Sequence, residues 1–183
     1  SSPGVAACWK AAIIACISGA GAAAFQQAAT PGDEHATLAK GAGTWKATVT
    51  SWPSPGAPPM TSEGVFERQL ILGGRVMEES YKGDVMGMPF EGHSMLGFDN
   101  VTWRWWTMWV DNMSTGPMVL WGAWDESEKA VVYEGTTPDP MSGQLIPMKT
   151  VVRHPSADEE QMTMFDLRTG EPVKTMEIIA KRQ

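Results

Sequence analysis

The chain has 183 residues, enough for one domain with a hydrophobic core of its own. Its formal net charge is −7 and no basic run is longer than Lys181-Arg182, which argues against nucleic acid as a partner. Glycine (19 residues) and proline (13 residues) are frequent and only 19% of residues are charged, a composition typical of a β protein with many turns.

Residues 1–29 differ in composition from the rest of the chain. They contain no acid and a single base, Lys10, which is followed by a short apolar run and then by small residues. This order predicts a secretory signal peptide, and cleavage after Ala24 or Ala29 would fit. We therefore expect residues 30–183 to form an exported domain, either periplasmic or secreted. The alternative is a retained hydrophobic segment that associates the protein with a membrane.

Both cysteines, Cys8 and Cys16, lie in this leader. The run that ends at Cys16 also resembles a lipoprotein processing site, although the apolar stretch before it is short. After cleavage the domain would contain no cysteine, so it would have no disulfide, no cysteine-type zinc site and no cysteine nucleophile.

The rest of the chain predicts one short helix and about ten β-strands. The helix, over residues 34–40, is expected to plug one end of a barrel. The predicted strands alternate apolar and polar residues and are separated by turn signals. They cover residues 45–52, 61–72, 75–82, 90–98, 103–110, 118–125, 130–136, 144–153, 161–167 and 173–182. Gly64, inside the second strand, predicts a bend or bulge.

Strands at this hairpin spacing, with no long helix between them, predict an antiparallel meander. A flat sheet of ten strands would leave two open edges, and closure into a barrel removes them. We therefore predict an all-β fold: a single antiparallel up-and-down β-barrel of about ten strands with a short N-terminal helix. A barrel of this size has room inside for side chains or for one small ligand.

The stretch over 86–111 is rich in tryptophan and predicts two long strands joined by a turn at Asp99 and Asn100. One face of the second strand carries Trp103, Trp105, Thr107, Trp109 and Asp111. The other face carries Arg104, Trp106, Met108 and Val110. Both faces are largely apolar, whereas a strand of a small soluble barrel normally has one dry face. The outer face is therefore expected to be covered by a partner subunit or by the N-terminal segment.

Several short runs resemble the bacterial family grouped as domain of unknown function 1579. They are residues 61–64, 72–75, 86–92, 97–100, 109–111, 115–116, 139–143 and 176–178, and their order and spacing span roughly 35–182. The resemblance implies a lipocalin-like fold and no established activity. Gly43-Thr44-Trp45 also resembles the Gly-x-Trp start of lipocalin-like barrels, which implies that Arg182 packs across Trp45. Phe98, where a tyrosine would be expected, departs from the family pattern.

The interior face supplies the candidate ligand site. If Trp109 points inward, Asp111 is a carboxylate in apolar surroundings and needs a partner. It then forms either an interior salt bridge or turn cap, or a polar anchor for a ligand. The candidate partners are Arg68, Arg75, Tyr81 and His93. The predicted ligand-binding residues are Trp45, Phe66, Arg68, Tyr81, Phe90, His93, Trp109 and Asp111.

Three functional hypotheses follow. The first is a binding protein that holds a small apolar or amphipathic ligand in the barrel. The second is a structural or accessory subunit with a filled barrel, which docks on another subunit of a homo-oligomer or larger assembly through Trp106, Met108 and Val110. The third is an enzyme that uses inward carboxylates, with Glu67, Glu79 and Glu177 as candidates. The sequence contains no metal-ligand spacing and no phosphate-binding glycine loop, so no metal or cofactor is predicted.

Overall fold

The computed structural model describes residues 21–24, 26, 30–54, 56–139 and 142–183. The leader hypotheses concern residues 1–29, most of which lie outside the described residues. The chain divides into two compact units, residues 1–30 and residues 31–183. Within the described part of the chain, no helix is long and apolar enough to cross a membrane.

The second unit consists of one helix and ten antiparallel strands. Helix α1 spans Asp33–Ala39. The strands are β1 Gly43–Ser51, β2 Met60–Ile71, β3 Val76–Val85, β4 Met88–Asp99, β5 Arg104–Asp111, β6 Met118–Asp125, β7 Ala130–Asp139, β8 Gln144–Ser156, β9 Glu159–Asp166 and β10 Val173–Arg182. Each strand pairs with its sequence neighbours, and β1 also pairs with β10, which closes the sheet. The predicted up-and-down barrel of ten strands is confirmed.

Helix α1 packs on β3 and β4 at the end of the barrel where β1 begins, which we call the helix end. Leu38 and His35 are buried there, and the His35 ring meets Phe98 edge-on with 6.2 Å between centroids. The Nδ1 atom of His35 accepts the backbone N–H of Gly32 at 3.1 Å and so caps the start of the helix. The helix predicted over 34–40 is confirmed and begins one residue earlier.

The turn between β4 and β5 is longer than predicted. The backbone N–H of Trp103 donates to the carbonyl of Asp99 at 2.8 Å, and Trp103 has a φ of 55°. The Asp99 carboxylate accepts the Val101 N–H at 2.9 Å and the Thr102 hydroxyl at 2.6 Å. These bonds extend the turn through Trp103, which is 69% exposed. The prediction that Trp103 shares the inward face of the strand is wrong.

Several interior glycines lie beneath aromatic rings of the neighbouring strand. A Cβ atom on Gly64 would lie 2.2 Å from the Tyr81 hydroxyl oxygen, and one on Gly92 would lie 2.1 Å from Cζ2 of Trp109. β2 keeps an even register with β1 through Gly64, so there is no bulge in this pairing, and the pairing of β2 with β3 begins at Gly64. Of the predicted bend or bulge, the bulge is therefore wrong, and the glycine leaves space for the tyrosine ring.

The buried apolar side chains form two clusters on opposite sides of the barrel. The first wall, on β1, β2, β3 and β10, contains Trp45, Ala47, Phe66, Tyr81 and Ala180. The second wall, on β6, β7 and β8, contains Leu120, Tyr133 and Met148. Partly buried side chains pack against each wall, Val49, Phe90, Trp109 and Ile178 on the first and Trp105, Met118, Val131, Val152 and Met164 on the second.

We expect Gly92→Ala to lower the free energy of unfolding by about 1–3 kcal/mol, because an added methyl group overpacks the contact with Trp109. Urea unfolding followed by far-ultraviolet circular dichroism measures this change. The matched control is Gly116→Ala, whose added Cβ atom meets Pro138 at an ordinary 3.8 Å and should shift stability by no more than about 0.5 kcal/mol. Equal stability of the two variants would contradict the close packing at Gly92.

Candidate functional site

A charged cluster lies inside the barrel towards the helix end. Arg68 on β2 donates through Nε to Oε2 of Glu79 on β3. Its Nη1 and Nη2 donate to Oε2 and Oε1 of Glu160 on β9, at 3.1 and 2.7 Å. The Ser94 hydroxyl donates to Oε1 of Glu79 at 3.1 Å. Only 5%, 7% and 12% of the Arg68, Glu79 and Glu160 side chains is exposed, so one buried cation faces two carboxylates.

The sheet register explains how these side chains meet. Arg68 pairs with Glu79, and Glu79 pairs with Ser94, so the three side chains form one inward row across β2, β3 and β4. Glu160 approaches from β9, where its cross-strand neighbour is Ala180 on β10. The same row continues to Ala47 on β1 and Gly64 on β2, so only small residues lie beside Glu160 in the direction of β2.

Trp45 anchors the neighbouring part of the first wall. Its indole N–H donates to the carbonyl of Gly41 at 2.9 Å. The guanidinium carbon of Arg182 lies 4.3 Å from the ring centroid, and that of Arg68 lies 5.1 Å from it. Arg182 also donates to the carbonyl of Ala42 at 2.6 Å, which ties β10 to the start of β1. The expectation that Arg182 packs across Trp45 is confirmed, and such contacts stabilise both partners.

Burial sets the protonation preferences of the cluster. Burial raises the pKa of Glu79 above its ordinary value, against the attraction of the Arg68 guanidinium, and the negative charge of Glu160 raises it further. Burial lowers the pKa of Arg68, but the Glu160 and Glu79 carboxylates outweigh this effect and the pKa is raised. The pKa of the Tyr133 hydroxyl is raised by burial and by the nearby charge of Glu160.

Asp111 lies at the other end of the interior from α1. Its Oδ2 atom accepts the indole N–H of Trp109 at 2.8 Å, and its Oδ1 atom accepts the backbone N–H of Met113 at 2.9 Å. Arg68, one of the four candidate partners, is held by Glu79 and Glu160 instead, and the bonds of Asp111 fit the turn-cap alternative. The carboxylate therefore caps the turn after β5 and orients the Trp109 ring against Phe90, with 6.3 Å between the ring centroids.

Seven of the eight predicted ligand-binding residues lie on the inward side of the barrel wall. The exception is His93, which is exposed on the outer face of β4 opposite Val110. Its neighbours Gly92 and Ser94 are buried, and because side chains alternate along a strand, His93 must point outward. It therefore does not line the interior, and this part of the prediction is wrong.

The candidate carboxylates of the enzyme hypothesis do not come together. Glu67 is exposed on the outside of β2, and Glu177 pairs with Lys174 at 2.9 Å. Of these three carboxylates, only Glu79 points into the barrel, and its two oxygens accept hydrogen bonds from Arg68 and Ser94. Among the described residues, no group of three or more histidine, cysteine or acidic side chains could hold a metal ion.

Two important interior groups were missed in the sequence. Glu160 falls outside the predicted strands over 144–153 and 161–167, although its alternation with Met162 and Met164 places it on the same face of the sheet as these residues. Thr150, on β8, is buried, and its hydroxyl has no hydrogen-bond partner in the described part of the chain. Its cross-strand neighbours are Tyr133 and Met164. A buried hydroxyl without a partner is costly, and no sequence pattern predicts it.

A separate cavity of about 220 Å³ lies at the end opposite α1, between the end of β1 and the turn from β9 to β10. Lys174 Nζ lies 4.4 Å from the ring centroid of Trp52 and 2.9 Å from Oε1 of Glu177. Arg168 pairs with Asp166 at 2.6 Å. The charges of this cavity are thus neutralised by their own neighbours.

A closed barrel of ten antiparallel strands, with a helix at one end and a β1 tryptophan packed against a C-terminal arginine, is consistent with the lipocalin-like class. A family model described as "Protein of unknown function (DUF1579)" matches residues 30–182, and the chain belongs to this family, as the sequence predicted. No curated protein matches the chain. A solved structure of a redesigned β-barrel is similar, at 13% identity and a TM-score of 0.41, over 82% of this chain and 96% of that chain.

We expect Arg68→Met to lower the free energy of unfolding at pH 7 by about 3–5 kcal/mol, because it leaves two buried carboxylates without their cation. Urea unfolding at several pH values measures the change, and the loss should shrink at acid pH as the carboxylates become protonated. Adding Glu79→Gln and Glu160→Gln to Arg68→Met should recover most of the loss. A single-variant loss below about 1 kcal/mol would contradict the role assigned to Arg68.

The raised pKa of Glu79 predicts that its contribution to the free energy of unfolding decreases as the pH rises. Burial favours the neutral form of Glu79, so its pKa is higher in the folded than in the unfolded protein. This contribution to the free energy of unfolding is complete below the pKa of the unfolded state and is lost as the pH rises through the pKa of the folded state. Glu79→Gln keeps a neutral side chain, so its melting temperature relative to the parent should increase from pH 4 to pH 8. The control is Glu63→Gln, an exposed β2 residue paired with Lys46, whose relative melting temperature should stay nearly constant. A pH-independent difference for Glu79→Gln would contradict the assignment.

Proposed function

We propose that the barrel binds a small amphipathic molecule between its two walls. The observation that carries this proposal is the partial exposure of apolar side chains that point into the barrel. They are Val49 and Ile178 on the first wall and Val131, Val152 and Met164 on the second. A barrel interior packed to ordinary density would bury these side chains. Space between the walls accounts for their exposure.

The number of strands supports this reading. An eight-stranded barrel has an interior just wide enough to be filled by side chains or to hold one small ligand, and the diameter grows with strand number. Here the deepest side chains of the two walls, Trp45 and Leu120, are fully buried and belong to separate clusters. A ligand lying between them would complete an interior that the described side chains leave as two halves.

The end of the barrel opposite α1 offers an apolar entrance. Met60 at the start of β2, Met88 at the start of β4 and Met113 in the turn after β5 are exposed at this end. The turn that carries Met113 is tied to β4 because the side-chain amide of Asn112 donates to the carbonyl of Pro89 at 3.1 Å. Methionine side chains are flexible and adapt to apolar partners of varied shape. This rim therefore suits the passage of an apolar group into the interior.

The polar groups indicate the kind of head group that would fit. Small-molecule sites combine apolar walls with a few convergent polar groups. Here Glu79 and Glu160 share one cation, Arg68, and the buried hydroxyl of Thr150 lies on the second wall without a partner among the described residues. A ligand end that carries a positive charge and donates hydrogen bonds would complete this set. A carboxylate head group would add to the excess of negative charge.

Fluorescence titration with N-phenyl-1-naphthylamine, an apolar dye that brightens in dry cavities, tests the site. Ile178→Trp fills the interior, so we expect it to weaken dye binding at least tenfold. The matched control is Ile179→Trp on the adjacent position of β10, whose side chain lies on the outer face and should leave the affinity unchanged. Circular dichroism checks that both variants fold. Equal affinities would overturn the proposed site.

The same titration tests the head-group class. Decylamine should displace the dye at lower concentration than decanoic acid at pH 7, because only the amine complements Glu79 and Glu160. The preference should disappear in Glu160→Gln if it comes from the interior carboxylates. Stronger displacement by decanoic acid would overturn the charge assignment while leaving the interior site itself supported by the dye.

A further inference from the structure

The outer face of β4, β5 and β6 carries an apolar patch. The strand register brings Met95, Met108 and Val119 into one cross-strand row, and places Trp106 beside Trp121 in the next row. Met95, Val119 and Trp121 are 38%, 41% and 39% exposed. Contiguous exposed apolar side chains of this kind mark interaction surfaces, and methionine and tryptophan are enriched at the centres of protein interfaces.

Charges of opposite sign lie at the two ends of this patch. Arg104 lies four residues from Met108 towards the helix end, and Glu91 lies four residues from Met95 in the other direction. At roughly 3.4 Å per residue, each charge is about 14 Å from the central Met95–Met108 pair. Both side chains are exposed, and within the described part of the chain neither forms an ion pair.

Among the described residues, neither charge forms an ion pair with its cross-strand neighbour. Lys82 lies opposite Glu91 on β3, but the described residues show no ion pair between them. Asp99 lies opposite Arg104 on β4, and its carboxylate is held by the Val101 N–H and the Thr102 hydroxyl of the turn. The Arg104 guanidinium instead lies 5.6 Å from the ring centroid of Trp121, at the edge of the patch.

We propose that a second copy of this chain docks on this patch about a two-fold axis. The axis lies in the interface, crosses the strands and passes over the Met95–Met108 pair. It brings Arg104 against Glu91 of the partner subunit, and symmetry repeats this contact at the other end. It also places Trp106 against Val110 of the partner subunit. The self-complementary arrangement of the two charges is what favours a second copy over a different partner.

This inference is independent of the proposed ligand site. The patch lies on the outside of β4, β5 and β6, whereas the ligand would lie between the two inner walls. The apolar centre of the patch would supply most of the binding free energy, and the charges at its ends would fix the orientation of the two copies. Failure of one proposal therefore leaves the other standing.

Sedimentation velocity of the full chain, over a range of concentrations, tests the arrangement. We expect a parent dimer that Arg104→Glu or Glu91→Lys alone weakens at least tenfold, because each change creates two contacts between like charges. The double variant, Arg104→Glu with Glu91→Lys, should restore the dimer to within about threefold of the parent. A monomeric parent at 100 µM would overturn the proposal.

Two further variants keep the test specific. Met108→Glu should abolish the dimer, because the axis would bring the two introduced carboxylates together. Glu63→Lys reverses an exposed charge on the outside of β2, away from the patch, and should leave the dimer unchanged. If neither Met108→Glu nor the charge reversals weaken the dimer, the dimer forms through another surface. The proposed interface would then be wrong.

Discussion

The interior of this barrel depends on one buried cation and the two carboxylates that it holds. Arg68 joins β2 to β3 through Glu79 and reaches β9 through Glu160, so it links strands on both sides of the β1–β10 seam. A buried charge is tolerated only when partners satisfy it. The closed sheet supplies these partners, and the aromatic rings of Trp45 and Phe66, each about 5.1 Å from the guanidinium carbon, exclude water around them.

Because side chains alternate along a strand, each of the two central strands presents different residues to the interior and to the outer surface of the barrel. On β4 and β5 the inward positions present Ser94 and Trp109 to the interior, while the outward positions present Met95 and Met108 to the surroundings. A tryptophan-rich strand of this kind has apolar side chains on both faces of the sheet. The proposed ligand would contact the inner face, and the proposed second copy would contact the outer face.

Residues governed by local periodicity were predictable. The inward placement of Phe66, Tyr81 and Trp109 follows from alternation, because side chains two residues apart share a face. The same rule, applied to the buried Gly92 and Ser94, would also have placed His93 outside. Trp103 could not be placed this way, because hydrogen bonds to Asp99 extend the turn and take the residue out of the strand.

The sequence by itself determined the strand pattern, the family and the closure of ten strands into a barrel, because these depend on local alternation and turn chemistry. Only the tertiary structure decided which charges meet. Arg68 and Glu160 are 92 residues apart in the chain, and their contact depends on the register accumulated over the whole closed sheet. The Thr150 hydroxyl, which has no hydrogen-bond partner among the described residues, and the division of the buried side chains into two clusters are likewise properties of packing, which no single strand encodes.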